Sequence, residues 1–124
     1  MSAERLFVAL GALSAAASVA LGAYGAHGLP GDAAVTWGKA VDYQAMHAIG
    51  LVLVGLLAGR WPGPAVRVAG GLLLAGTLLF SGSLYLLVTT GVRGLGWVTP
   101  FGGMSFMLGW LVLAWAALRT GNRT

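Results

Sequence analysis

The chain has 124 residues, of which 58% are hydrophobic and only 8% are charged, against about 25% charged in a typical soluble domain. Four stretches of 26, 17, 25 and 25 residues contain no Asp, Glu, Lys or Arg, which excludes a soluble enzyme and a disordered chain. The seven basic residues stand singly, unlike the basic cluster of a nucleic-acid-binding protein. Because about 20 apolar residues cross a bilayer as a helix, we predict an all-α polytopic membrane protein: one antiparallel four-helix transmembrane domain over residues 1–124.

The four predicted spans follow these stretches, at about residues 6–26, 40–59, 68–90 and 100–118. Arg5 before the first apolar run is also the pattern of a signal peptide, but the run is long for one and favours a permanent helix. The second helix is expected to begin outside the membrane, near Asp32, with Trp37 as an interfacial anchor. A hairpin with two prolines, between Arg60 and Arg67, separates the second span from the third.

The basic residues predict the orientation of the bundle. With four spans, both termini and the central hairpin lie on one side of the membrane. That side carries Arg5, Arg60, Arg67, Arg119 and Arg123, whereas the other side carries Lys39 and Arg93. Because basic residues concentrate on the cytoplasmic side, we expect a multi-pass protein of the bacterial inner (plasma) membrane with both termini in the cytoplasm.

Side chains capable of chemistry concentrate in the half of the bundle opposite the termini. They are Tyr24, His27, Asp42, Tyr43, Gln44, His47, Ser81, Ser83 and Tyr85. The spacing of Lys39, Tyr43 and His47 places them on one face of the second helix, and a similar stripe with Ser81 and Tyr85 follows the third. Polar groups that face lipid are costly, so both stripes are expected to point into the bundle and to form a polar cavity in the outer leaflet.

This polar outer half has two interpretations. A cluster around His47 and Tyr85 could bind a lipid head group or a small amphiphile, or it could relay protons. Alternatively, these groups tie helices together by hydrogen bonds, Asp42 pairs with Lys39, and His27 contacts loop carbonyl groups at the end of its helix.

Catalysis and metal binding find little support in the sequence. The chain has no cysteine, and its two histidines stand 20 residues apart. A metal site that combines both histidines with Asp42 would need converging helices, and a hydrolase built from Ser81 or Ser83 with His47 has no local motif behind it. The sequence therefore predicts no catalytic residue, no metal site and no cofactor.

Small residues recur at helical spacing in all four spans. The positions predicted to let helices approach closely are Ser14, Ser18, Gly22, Gly55, Gly59, Gly102 and Gly109. Packing within the bundle explains them, and a homo-oligomer or a partner membrane protein is the alternative.

The segments 22–29, 40–48, 79–85 and 99–103, together with Gly109 and Trp110, resemble a known family of bacterial membrane proteins. This is the domain of unknown function 423, also called uncharacterised protein family 0382, with eukaryotic relatives called transmembrane protein 256. Its signature residues match here as Gly25, His27, Gly28, Tyr43, Gln44, His47, Ser81, Gly82, Ser83, Tyr85, Pro100 and Gly102. The resemblance implies a four-span inner-membrane protein and implies no reaction.

Three functions remain open from the sequence. The first is a non-enzymatic membrane protein whose outer polar cavity binds membrane lipids or small amphiphiles, or supports a partner. The second is a small transporter or a component of a proton-coupled channel, with Asp42 and His47 as proton carriers. The third is an intramembrane enzyme, which the absence of a nucleophile motif makes the weakest of the three.

Overall fold

The computed structural model describes residues 1–121, which form helices and short connections with no strand among them. The elements are α1 (Ala3–Gly28), α2 (Gly31–Ala58), α3 (Ala65–Gly76), a π-helical segment (Thr77–Ser81), α4 (Gly82–Thr90), a 3₁₀ turn (Arg93–Trp97) and α5 (Thr99–Gly121). Four helices, one in each predicted span, are long and apolar enough to cross a membrane. The predicted all-α membrane fold is confirmed, and Arg123 lies outside the described residues.

The ends of α1 and α2 follow from local chemistry. Ser2 caps α1, because its hydroxyl oxygen accepts a hydrogen bond from the Arg5 amide at 3.2 Å. The predicted start of α2 near Asp32 is one residue late, since Pro30 is the N-cap and Gly31 adopts a positive φ of 49°. Asp32 lies instead in the first turn, where a carboxylate complements the positive end of the helix dipole.

The third span is a continuous rod from Ala65 to Thr90 with a widened turn in its middle. In the π-helical segment, the Gly82 amide donates to the Thr77 carbonyl oxygen five residues earlier. Hydroxyl groups bond to the carbonyls just before this turn: Thr77 Oγ1 donates to Leu73 at 3.0 Å, and Ser105 Oγ of α5 donates to Leu72 at 2.7 Å. Ser81 and Tyr85 both bond to groups of α2, so these members of the polar stripe predicted for this span still face the same neighbouring helix.

The helices pack mainly with their neighbours in the chain. α1 lies along α2, α2 also lies along the third span, and α5 packs on the third span and reaches α2 through Phe106. The core between these helices is aliphatic and aromatic, and its buried members are Leu51, Val54, Val66, Leu73, Phe106 and Ala116. Large apolar side chains such as Leu13, Leu78 and Leu111 are more than half exposed on the outside, as expected for surfaces that face lipid.

Glycines bring helix backbones close together where α1 meets α2 and where α5 meets the third span. A methyl group added at Gly11 would come within 2.6 Å of the Ala48 carbonyl oxygen, and one at Gly55 within 2.7 Å of the Glu4 carbonyl oxygen. Gly102 lies against the backbone of Phe80 in the same way. All three therefore accept no side chain without moving a helix.

The small residues predicted for packing lie at contacts inside the bundle. Gly22, Gly55 and Gly59 lie where α1 meets α2, Gly102 and Gly109 lie where α5 meets the third span, and Ser18 is buried on α1. Ser14 has an additional role, which is described below.

Candidate functional site

Five of the nine sequence-predicted polar residues line two grooves that share no residue. We call the first the amide groove; it lies between α1, α2 and the third span and has a volume of about 420 Å³. Its lining residues are Leu10, Leu13, Ser14, Leu21, Gln44, Leu74, Thr77, Leu78, Ser81, Gly82 and Tyr85. The groove stays open because α1 packs principally against α2 and leaves a gap beside the third span.

The floor of the amide groove is a hydrogen-bonded chain across three helices. The Tyr85 hydroxyl donates to Gln44 Oε1 at 2.6 Å, and Gln44 Nε2 donates to the backbone oxygen and the hydroxyl oxygen of Ser14 at 3.1 and 3.2 Å. Gln44 is buried, whereas Tyr85 is only partly buried. A buried amide whose partners come from neighbouring helices is fixed in one orientation, so the polar floor is rigid.

An aromatic cluster closes the amide groove at the end away from the termini. The Trp37 indole donates to the Leu21 carbonyl oxygen at 2.7 Å, and its ring meets Tyr85 edge-on with centroids 4.6 Å apart. Tyr24 packs on the other side of Trp37, at 5.3 Å. The prediction of Trp37 as an interfacial anchor is wrong: the ring is 5% exposed, because α1 and the third span both cover it.

The second groove, which we call the imidazole groove, lies between α2, the third span and α5 and has a volume of about 360 Å³. Its lining residues are Tyr43, Met46, His47, Phe80, Gly103, Phe106, Met107 and Trp110. The His47 ring stacks on Phe106 with centroids 3.5 Å apart and is 2% exposed. Aromatic rings and thioethers therefore surround the one histidine of the bundle interior.

The hydrogen bonds of His47 define its chemical form. Nδ1 lies 2.6 Å from the Tyr43 carbonyl oxygen, which can only accept, so Nδ1 carries a proton. Nε2 lies 3.0 Å from the Trp110 indole nitrogen, which can only donate, so Nε2 carries none. The ring is therefore a neutral imidazole with both nitrogens occupied, and a second proton would place two donors face to face.

The hydroxyl groups of Ser81 and Ser83 are also engaged in hydrogen bonds within the bundle. Ser81 is 1% exposed and donates to the Ala40 carbonyl oxygen at 2.7 Å, which joins the third span to α2. Ser83 donates to the Phe80 carbonyl oxygen at 2.9 Å and lies 2.6 Å from the hydroxyl of Thr99 on α5. Neither hydroxyl is directed at His47, as a nucleophile and its base would be.

The remaining predicted residues lie at the surface. Tyr24, His27 and Asp42 are exposed, and Tyr43 is 42% exposed. Asp42 lies at a shallow cleft of about 280 Å³ between α1 and α2, with Gly22 and Gly25 on the opposite wall. Among residues 1–121, no three His, Cys, Asp or Glu side chains come together as metal ligands. The residues predicted to form one outer cavity therefore do not converge: five line two separate grooves, Asp42 lies at the cleft, and Tyr24, His27 and Ser83 line none of the three.

Sequence reasoning missed several members of both grooves. Ser14 was assigned to packing, although it accepts the bonds of Gln44. Phe80 and Phe106 carry no polar signal that distinguishes them from lipid-facing aromatics. Trp110 had one: it lies far from the ends of its predicted span, unlike an interfacial tryptophan, and its indole nitrogen needs a partner there.

Residues 21–103 match the family described as "Protein of unknown function (DUF423)". The matched region contains the polar members of both grooves except Ser14, and ends before Phe106 and Trp110.

Curated relatives extend the similarity to almost the whole chain. A UPF0382 membrane protein of Staphylococcus epidermidis is 47% identical over 119 residues, which cover 93% of this chain and 97% of the relative. The UPF0382 membrane protein YwdK of Bacillus subtilis is 42% identical over 120 residues, 93% of this chain and 98% of the relative. No solved structure matches the chain.

Proposed function

The chain belongs to the DUF423 family of membrane proteins, and from the shape of its grooves we propose that it binds a neutral amphiphile in the amide groove. The apolar part of the ligand lies along the leucines of α1 and the third span, and an oxygen of the ligand bonds to the polar floor. The protein acts by binding this molecule, without a reaction of its own.

The observation that carries this proposal is an open groove with hydrogen-bonding capacity at its floor. The Tyr85 hydroxyl donates its proton to Gln44, but its oxygen can still accept a hydrogen bond. The Ser14 hydroxyl accepts from Gln44 and can still donate its own proton. An alcohol can donate to the first and accept from the second. A lipid with a free hydroxyl is therefore the class of ligand that this floor suits best.

The depth of the floor favours a neutral ligand. Gln44 lies 16 residues from Arg60, so it is about 24 Å along the helix from that aqueous edge, in a hydrocarbon core about 30 Å thick. A charged phosphate is expensive to bring several ångströms below the other interface, whereas glycerol hydroxyls and ester oxygens lie close to that level. A diacylglycerol has both the hydroxyl and the acyl chains that the groove requires.

The alternatives have weaker support. Polar groups that only tied helices together would need no open cavity beside them. A transporter or proton channel needs polar groups along the whole path, but Leu51, Val54 and Leu73 fill the interior toward the termini. An enzyme needs a free nucleophile near its base, and the hydroxyls of Ser81 and Ser83 bond elsewhere.

A pair of glycine variants tests the proposal. Gly82 lines the amide groove and Gly71 does not, and at both positions an added Cβ meets no atom within 4 Å. Both substitutions by leucine replace a poor helix former with a good one, so both proteins should fold. In lipid nanodiscs that contain a diacylglycerol with a diazirine acyl chain, Gly82→Leu should reduce photolabelling about tenfold, equivalent to about 1.4 kcal/mol.

Gly71→Leu is the matched control and should be labelled like the wild type. Equal labelling of the two variants would show that the probe reacts with the general lipid-facing surface, and the proposal would then be wrong. Peptide mapping should place wild-type crosslinks on the leucines of the amide groove.

We also propose that the termini and the Arg60–Arg67 hairpin lie in the cytoplasm. Among the described residues, four arginines lie at that end of the bundle, against Lys39 and Arg93 at the other. The chain has no cysteine, so Ser2→Cys and Gly94→Cys each introduce one reporter thiol. In intact cells a membrane-impermeant maleimide should label only the Gly94→Cys variant. Labelling of the Ser2→Cys variant instead would show that the protein has the opposite orientation.

A further inference from the structure

A third groove lies at the other end of the α1–α2 pair, where the chain begins. It has a volume of about 470 Å³ and we call it the terminal groove. Its lining residues are Glu4, Arg5, Val8, Ala9, Ala12, Gly55 and Leu56. It shares no residue with the amide groove, so its occupant is a separate question from the proposed function.

The terminal groove has an apolar bed and a charged mouth. Small side chains at Ala9 and Ala12 leave an apolar bed on α1, with Val8 and Leu56 beside it, and Gly55 closes it where α2 contacts α1. The only charged lining residues are Glu4 and Arg5, which are adjacent in the chain, exposed and of opposite sign. A bed of this kind suits an acyl chain, and the mouth suits a head group that carries both charges.

The helix dipoles at the mouth of the terminal groove also favour a head group that carries one anionic and one cationic part. The mouth joins the first turn of α1 to the last turn of α2, so the positive end of one helix dipole lies beside the negative end of the other. The Glu4 carboxylate lies against Gly59 at the end of α2, where an added methyl group would be 3.0 Å from Oε2. An anion is favoured near the start of α1 with Arg5, and a cation near the end of α2 with Glu4.

The order of the two residues along α1 distinguishes between lipids. Both line the groove; the Glu4 carboxylate reaches the end of α2 at Gly59, and Arg5, the next residue, lies about 1.5 Å further along α1 towards the apolar bed. In a zwitterionic phospholipid the phosphate adjoins the glycerol and the ammonium lies beyond it. We propose that the terminal groove binds an aminophospholipid, phosphatidylethanolamine in chemical class, with its phosphate at Arg5 and its ammonium at Glu4.

A primary ammonium suits this site better than the other common head groups. Its three N–H donors can bond to the Glu4 carboxylate, which a trimethylammonium cannot do. Phosphatidylglycerol offers the phosphate but places neutral hydroxyls beside Glu4. The site should therefore prefer phosphatidylethanolamine to phosphatidylcholine and to phosphatidylglycerol.

Native mass spectrometry of the full chain, with equimolar phosphatidylethanolamine and phosphatidylglycerol added to the micelles, tests this proposal. Arg5→Gln should reduce retention of both phospholipids about fivefold, the effect of one basic residue at a membrane surface. Glu4→Gln should keep phospholipid bound but remove the preference for phosphatidylethanolamine over phosphatidylglycerol. Arg67→Gln, an exposed arginine at the same end of the bundle, should match the wild type.

Two further variants separate binding from folding. Arg5→Lys retains the charge and should restore most of the retention. Ala12→Leu narrows the bed without altering any charge and should reduce retention of both lipids, whereas Ala17→Leu, also exposed on α1 but outside the groove, should not. If Arg5→Gln behaves like Arg67→Gln, or if Glu4→Gln keeps the wild-type preference, the proposal is wrong. Diacylglycerol labelling of the amide groove is expected to be unchanged in all these variants, so each proposal can fail alone.

Discussion

The amide groove and the imidazole groove share α2 and the third span as walls, but their polar groups are hydrogen-bonded differently. In the imidazole groove, both nitrogens of His47 are bonded and the ring is covered by Phe106. In the amide groove, Gln44 is equally well bonded, but the hydroxyls of Ser14 and Tyr85 keep unused capacity beside an open cavity. The bonds of His47 join α2 to α5, whereas the unused hydrogen-bonding capacity of the amide groove supports the binding that we propose for it.

The difference originates in how the outer helices pack. α5 reaches the third span through glycines, so the aromatic side chains of Phe106 and Trp110 are pressed onto α2. α1 uses its small residues against α2 instead, and therefore leaves the third span uncovered beside Tyr85. Small residues thus decide that aromatic rings cover His47 in the imidazole groove, whereas the polar floor of the amide groove lies beside an uncovered part of the third span. The predictions below test that assignment in order of expected effect.

Gly102→Leu should have the largest effect, because the new side chain meets the backbone of Phe80 in the contact that holds α5. We expect the free energy of unfolding to fall by about 3 kcal/mol, as in overpacked cores. Reversible unfolding in detergent measures this change. Gly82→Leu, at a position where an added Cβ meets no atom within 4 Å, is the control and should be within about 0.5 kcal/mol of the wild type. Equal losses in the two variants would mean that α5 does not depend on this contact.

His47→Leu should destabilise the protein by about 2 kcal/mol, because the Trp110 indole would lose its acceptor in a buried place. Trp110→Phe in the same chain removes the orphaned donor and should recover more than half of the loss. Diacylglycerol labelling of the amide groove should not change in either protein. A histidine that carried protons or held the ligand would instead reduce labelling in both, with no rescue by the second substitution.

The spans were predictable because their signal extends over many residues. The length of each charge-free stretch reflects the thickness of the bilayer, and the proline hairpin separates two of these stretches. Each of the four stretches lies largely in a helix long enough to cross a membrane. The π-helical turn at Thr77–Ser81 was not predictable, since one extra residue in a turn leaves no compositional trace. It contains Phe80, whose backbone contacts Gly102, a residue far away in the sequence.

The sequence identifies which polar residues lie in the membrane-spanning segments, but not how they are arranged in the bundle. Periodicity correctly placed Tyr43 and His47 on one face of α2, and both line the imidazole groove. Gln44 follows Tyr43 directly, about 100° further round the helix, and so lines the other groove. α2 packs against α1, the third span and α5 with different faces and exposes another that carries Met46 and Ile49, and the sequence does not show which helix covers which face.

Tyr85→Phe should have the smallest effect on stability, and its effect on labelling should still distinguish the amide groove from the imidazole groove. The lost bond to Gln44 is one interhelical hydrogen bond in a membrane, so the free energy of unfolding should fall by only about 0.6 kcal/mol. Diacylglycerol labelling should nevertheless fall about fivefold, because the ligand also loses its acceptor at the floor. Tyr43→Phe removes the matching hydroxyl from the imidazole groove and should leave labelling unchanged. If the two variants reduced labelling equally, the phenol of Tyr85 would be only a tie between helices, and the ligand would be held by the apolar walls alone.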